Sequence, residues 1–320
     1  MVSYIDLSHR YIYFFIKKKS IYLQLMESMP YDKRSGKIWF NGKTIDWADA
    51  NIHVLNHGLH YASCVFEGER VYDGEIFKLQ EHTERLFYSA KRMGISAPYT
   101  QEEINNACKN IVNIQKVMNG YVRPLIWRGS EMMAISAQKN KIHVAIATWE
   151  WGSYFDPKLK LNGIKLDISS WRKPAPNTIP WDTKAAGLYM INTLSKHEAE
   201  EKGFTDSLML DHEGNIAEAT GANIFFKDNT GELHTPIPDS FLDGITRREV
   251  IKIAKSKGVK VTERKIKPDE MKDFAGCFLT GTAAEVTPVC KISKYNFTVC
   301  DLITDLNETY QNLVRKKPAA

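Results

Sequence analysis

Apolar and polar residues alternate across residues 37–46 (KIWFNGKTID) and 71–79 (VYDGEIFKL), and each run is broken once, by Asn41-Gly42 and by Asp73-Gly74. A period of two marks half-buried strands, and these dipeptides supply the positive-φ positions of a tight turn, so two hairpins are expected. The pattern then shifts to helical spacing. Residues 80–93, closed by Gly94, and residues 100–117 are expected to be helices; Thr100 and Glu103 give the second the spacing of a capping box. Strands are expected at 121–127 and 141–151.

Residues 154–162 read as a linker, and from Ile164 a new set of elements begins with IKLDISSW as a strand. The expected organisation is a small N-terminal α/β domain over 29–150, an interdomain connection over 151–162 and a larger C-terminal domain over 163–320. Pro174, Pro176 and Pro180 hold the chain extended up to Lys184, after which 185–202 is expected to be helical and to stop at Gly203. Strands at 207–210 and 223–226, a helix over 246–257 and a strand over 259–266 complete a mixed α/β (α+β) pattern.

Composition narrows the function class. At 320 residues, 43% hydrophobic and 25% charged, the chain is globular rather than disordered, collagenous or coiled-coil. The net charge of +5 is concentrated in Lys17-Lys18-Lys19 and Arg315-Lys316-Lys317, without the basic face a nucleic-acid protein needs, so no nucleic-acid partner is expected. Five cysteines without a C-x-x-C pair suit a reducing cytoplasm. No apolar run approaches the roughly 18 residues of a membrane span, so no membrane partner is expected. Residues 1–28, basic and aromatic, are expected to be a disordered extension outside the fold.

Several residues could carry chemistry. His53, His57 and His60 have the spacing of metal ligands on a helix face, but Asn56 and Gly58 interrupt it and no carboxylate or Cys completes a set; packing or backbone-bonding histidines are expected, and no metal. The turns Asp243-Gly244-Ile245-Thr246 and Thr280-Gly281-Thr282-Ala283-Ala284 could each offer N–H groups and a Thr hydroxyl to a phosphate. Taken alone, Arg85 reads as a solvated helix arginine. Lys184, between Pro-rich extended chain and Ala185-Ala186-Gly187, is placed as a nucleophilic amine would be, although a surface lysine is the commoner case. Glu218 lies in an otherwise uncharged run and calls for a buried cation or N–H as partner.

A Schiff-base lysine, a buried carboxylate and two phosphate turns are together what pyridoxal 5'-phosphate requires. The ordered motifs H-x-L-H-Y-x-x-x-V-F-E-G (57–68), E-H-x-x-R-L (81–86), Y-V-R-P-L (121–125), K-A-A-G-x-Y (184–189), E-A-x-G-A-N-I-F (218–225), D-G-I-T-R (243–247) and G-T-A-A-E-V-T-P-V (281–289) resemble bacterial branched-chain amino-acid aminotransferases, of the fold-type IV pyridoxal-phosphate enzymes. The resemblance implies that Lys184 bears the cofactor and shuttles a proton, that Glu218 holds the pyridine nitrogen and Tyr189 the phenolic oxygen, and that Arg85, Ile245, Thr246 and Thr282 surround the phosphate. It further implies that Tyr121 with Thr282 and Ala283 receives the α-carboxylate, and that Arg123, with Tyr61 from a second subunit, receives glutamate's side-chain carboxylate. Phe66, Gly68, Trp151, Tyr154, Ala284 and a partner's Ile135 would form the apolar pocket.

The implied function moves the amino group of L-leucine, L-isoleucine or L-valine to 2-oxoglutarate in a homodimer or higher assembly. The alternative is another fold-type IV enzyme: a D-amino-acid transaminase, an amine transaminase or an aminodeoxychorismate lyase. Glu69, where many relatives carry an apolar residue, and Ala222, where several carry a glutamate, depart from the family pattern and are expected to alter loop charge near the pocket.

Overall fold

The computed structural model describes residues 29–315 apart from 153 and 156; the extension expected over 1–28 lies outside the described residues. Two sheets dominate it. The first is wholly antiparallel, in the order Lys43–Asp46, Lys37–Phe40, Ile142–Glu150, Gly120–Arg128, Glu69–Tyr72, Glu75–Ile76, with Cys64–Phe66 also paired to Gly120–Arg128. Both hairpin turns form where expected, with Asn41 and Gly42 at φ 49° and 85° and Asp73 and Gly74 at 51° and 88°.

One face of this sheet is covered by the helices Leu79–Arg92 and Gln101–Gln115. Leu86, Ile104 and Ile111 pack there on Val65, Val122, Ile126 and Ile146, each almost wholly removed from water. The capping box is present: Glu103 N donates to Thr100 Oγ1 at 3.2 Å, and Thr100 N donates to Glu103 Oε2 at 2.7 Å.

The second sheet is mixed and runs Ile216–Ala219, Asp206–Leu210, Ile164–Arg172, Glu285–Ile292, Phe274–Gly281, Asn223–Asp228, Leu233–Thr235, Val261–Glu263, with Tyr295–Asn296 beside Glu285–Ile292. Its period-two strands feed two cores. Ile224 and Phe226 face one with Leu208 and Leu279, while Phe225 turns to the other, stacked on Phe278 at 5.0 Å beside Val250, Ile303 and Tyr310.

Five elements differ from expectation. The connection contains a short helix, Pro157–Asn162, opened by a residue suited to a first turn. Glu218 belongs to the strand Ile216–Ala219, and the turn at 280–284 joins the long strands Phe274–Gly281 and Glu285–Ile292, whose apolar runs are buried on both faces and so lack alternation. The helix Asp301–Val314 was not anticipated, although Ile303, Leu306, Tyr310 and Val314 form a buried stripe along it. Among the described residues no helix is long and apolar enough to cross a membrane.

Candidate active site

The chain segment at Lys184 is where the two sheets meet. Lys184 N donates to Ser89 Oγ at 3.0 Å, its carbonyl accepts from Phe66 N at 3.1 Å, and Ala185 bridges Val65. Beyond it a short 3-10 turn, Ala186–Leu188, leads into the helix Tyr189–Glu201. Lys184 Nζ donates to Tyr189 Oη at 2.7 Å and lies 4.9 Å from the centre of the Phe66 ring. The expectation of a surface lysine is set aside, because burial lowers its proton affinity below that of an ordinary lysine; Glu67 opposes this, and Arg85 and Arg123 reinforce it. Burial likewise pushes the Tyr189 hydroxyl up to about 12, so it remains a donor at neutral pH.

Two clefts adjoin at this amine. The first, of about 620 Å³, is lined by Arg85, Glu218, Gly244, Ile245, Thr246 and the turn 280–283. Arg85 is no solvated helix arginine: its Nε and Nη2 donate to Glu67 Oε1 and Oε2 at 2.6 and 3.0 Å. Ile245 and Thr246 begin the helix Ile245–Ser256, whose first-turn N–H groups have no carbonyl of their own helix to bond and point, with the dipole, toward an anion. Gly244 must lack a side chain, since a Cβ there would stand 2.2 Å from Asn223 Oδ1. That oxygen accepts from Gly244 N at 3.1 Å and pins the turn.

Glu218, 8% exposed, has the partners its burial demands: Lys173 Nζ at 2.8 Å from Oε1, and Asn223 Nδ2 donating to Oε2 at 3.0 Å. Lys173 is itself buried and donates to Asn192 Oδ1 at 3.1 Å. Burial raises the proton affinity of Glu218, and Lys173 works against it. The sequence called for a cation near Glu218 without identifying it; Lys173, hidden in the Pro-punctuated stretch, is that cation.

The second cleft, of about 1160 Å³, has an aromatic wall of Phe66, Tyr121, Trp151 and Tyr154, with Ala284 opposite and Arg123 recessed among the rings. The Arg123 guanidinium carbon sits 4.7 Å from the Phe66 ring centre, and Nη2 donates to Tyr121 Oη at 3.4 Å. Gly68 allows the tyrosine in, because a Cβ there would lie 1.7 Å from Tyr121 Oη. Ala283 is shared by both clefts, as are Lys184, Tyr189 and Tyr121. Tyr61 and Ile135 line neither; both are exposed, Ile135 at 84%.

Residue types present match a phosphorylated pyridine ring. Thr280 Oγ1 is buried at the first cleft without a hydrogen-bond partner among the described residues, a donor left for a guest oxygen. Beside it are the Arg85 fork, a helix start and a carboxylate at the far end, complementary to a phosphate and to a protonated ring nitrogen. The comparisons agree. The family model of class IV amino-transferases matches residues 64–292.

The chain belongs to the class IV aminotransferases, in their branched-chain-amino-acid branch.

Within this family it is 44% identical over 283 residues to a probable branched-chain-amino-acid aminotransferase of Rickettsia bellii, covering 87% of this chain and 96% of that one. Among solved structures, the T.th. branched-chain amino acid aminotransferase with pyridoxamine 5'-phosphate is 35% identical with a TM-score of 0.85, covering 88% of this chain and 96% of that chain. The same enzyme complexed with N-(5'-phosphopyridoxyl)-L-glutamate gives a TM-score of 0.83 at 35% identity, covering 88% and 95%. The fold is thus fold-type IV and the cofactor pyridoxal 5'-phosphate.

Three findings add to the sequence reading of this class IV aminotransferase. Glu67 and His82, present in the quoted motifs but given no role, bond to each other, and Glu67 also accepts from Arg85. Glu69 does not sit on a loop: it is fully buried in the strand Glu69–Tyr72, where a carboxyl cannot change loop charge. His57 Nδ1 meets Ser63 Oγ at 2.7 Å and Nε2 meets Ala134 O at 3.0 Å, while His60 Nε2 meets Val54 O and His53 Nδ1 accepts from Leu55 N. These are packing and backbone-bonding roles, even though His57–Tyr61 is a short helix.

Proposed function

We propose that this aminotransferase moves the α-amino group of L-leucine, L-isoleucine or L-valine to 2-oxoglutarate in ping-pong order, with amino acids and 2-oxo acids as its small-molecule partners. One observation carries this reading: Lys184 Nζ stands where a cleft with an anion-binding wall meets a cleft with both aromatic walls and a recessed arginine. Bound pyridoxal phosphate supplies an aldehyde that condenses with amines and a ring that withdraws electrons from the adjoining carbon. Arg85, Ile245, Thr246 and Thr282 would hold its phosphate, Tyr189 its phenolic oxygen and Glu218 its ring nitrogen.

Lys184, lowered in proton affinity by burial, takes and returns a proton at Nζ. Tyr189 orients that nitrogen. Tyr121, with the backbone of Thr282 and Ala283, receives an α-carboxylate. Phe66, Gly68, Trp151, Tyr154 and Ala284 close around a branched aliphatic chain and exclude water, while Arg123 receives the second carboxylate of glutamate.

The chain acts in the cytoplasm as a homodimer or higher assembly of two-domain subunits, 29–150 and 163–320 joined by 151–162. Exposed Leu59, Tyr61 and Ile135 support this, since they offer apolar surface and an aromatic hydroxyl outside their own cleft, suited to closing that of a second copy. Parallel assays of L-leucine, D-alanine and a simple amine with 2-oxoglutarate test the reading. Turnover of L-leucine alone is expected, and turnover of D-alanine alone would overturn it.

A further inference from the structure

The charged end of the first cleft is built on a carboxylate to which the pyridoxal-phosphate reading assigns no role. Glu67 lies between the strands Cys64–Phe66 and Glu69–Tyr72, with no exposed surface, and its backbone N–H continues the sheet by donating to Pro124 O at 2.8 Å. Four donors converge on its side chain. Arg85 supplies Nε and Nη2, Gly68 N donates to Oε2 at 3.2 Å, and His82 Nδ1 stands 2.7 Å from the same oxygen. Burial lowers the proton affinity of the His82 ring against the pull of Glu67, and since an ionised carboxylate only accepts, Nδ1 carries the hydrogen of this bond. Burial alone would protonate Glu67, but Arg85 and His82 overcome it and hold the group ionised.

We propose that Glu67 is the positioning residue of this wall: it grips two edges of the Arg85 guanidinium and thereby aims the remaining N–H groups at the phosphate of the bound cofactor. This rests on the pyridoxal-phosphate reading above. An arginine carries five N–H donors in a rigid plane, so a bidentate grip on one side fixes the direction of the rest. Arg85 alone, on a helix bordering the cleft, would lose rotamer entropy each time it bound an anion. Glu67 meets that cost during folding. It does so from a site shut off from water, where neither salt nor substrate competes for the pair.

The test compares pyridoxamine 5'-phosphate with pyridoxamine, which differ only in the group Arg85 faces and form no bond to Lys184. In wild-type protein the phosphate form should bind much more tightly. Glu67→Gln should weaken pyridoxamine 5'-phosphate by about 10- to 100-fold, the range seen for partners that orient a ligating group, while leaving pyridoxamine unchanged. Combined with Arg85→Ala it should add nothing to the loss caused by Arg85→Ala alone. If Glu67→Gln fails to fold, Glu67→Asp keeps the charge but retracts the grip, and the same phosphate-selective loss is expected at smaller size. Unchanged affinity for the phosphate form, or equal losses for both ligands, overturns the proposal. Wild-type protein that binds neither form overturns the cofactor reading and the proposal together, a result distinct from either of these.

Discussion

The two sheets furnish the active cleft by different physical means. The N-terminal sheet and its helices contribute charge on side chains: Arg85 held by Glu67, and Arg123 seated on Phe66 and Tyr121. The C-terminal sheet carries a buried pair too, Glu218 with Lys173, but toward the phosphate it contributes turns: the helix start at Ile245 and Thr246, and the turn 280–284 between two long strands. A charge held by a buried counter-charge is strong but fragile, because losing either member strands the other in a low dielectric. Backbone donors are weaker singly and harder to remove, since no substitution except proline deletes an N–H. Around the phosphate, the cleft thus combines one wall that mutation can break with another that mutation can only bend.

Lys184→Ala should have the largest effect, since that residue belongs to neither wall alone but lines both clefts. Turnover should fall by about 10⁴-fold or more, measured as steady-state activity with saturating cofactor. Next, Arg85→Ala should cost about 2–5 kcal/mol in affinity for pyridoxal 5'-phosphate and should lower the melting temperature, because Glu67 is left buried without its guanidinium, with only His82 and the Gly68 N–H as partners. Thr246→Ala should cost only about 1 kcal/mol, its backbone N–H being retained. If calorimetric titration found Thr246→Ala the costlier, the contrast between the walls would be broken.

Arg123→Ala should raise KM for glutamate about tenfold or more, with little change for leucine; equal losses would show that the arginine does not read the second carboxylate.

The smallest effect is expected at Glu69. Its two oxygens have no hydrogen-bond partner among the described residues, and burial first, then the neighbouring Glu67 charge, raise its proton affinity well above the carboxylate range, against the pull of Arg85. Because the folded state holds this proton more tightly than the unfolded state, the contribution of Glu69 to stability falls as pH rises above about 4.3. Glu69→Leu should therefore leave stability unchanged near pH 4 and increase it at pH 7, as read from urea unfolding at both pH values. The same substitution at Glu67 should do the opposite.

How far the site was legible in the chain follows the same division. Lys184 and Glu218 stood out as charges in improbable surroundings, and a motif order could join them to Arg85, a plain helix arginine by itself, before any geometry was known. Lys173 and Glu67 could not be found in that way, because a buried ion pair is a property of two distant segments and neither of these two residues is marked by its own neighbours. The hairpins at Asn41-Gly42 and Asp73-Gly74 were legible because turn chemistry is local. The strands Phe274–Gly281 and Glu285–Ile292 were not, since burial on both faces erases the period that marks a strand.

The backbone of Lys184 is fastened on both sides, its amide to Ser89 and its carbonyl to Phe66. Whatever the amine does in a turnover, it must do by swinging its own methylene stem, as a boom turns on a fixed mast. Rotations of that kind are complete on the order of nanoseconds. The swing of this nitrogen therefore asks no movement of the segment that carries it.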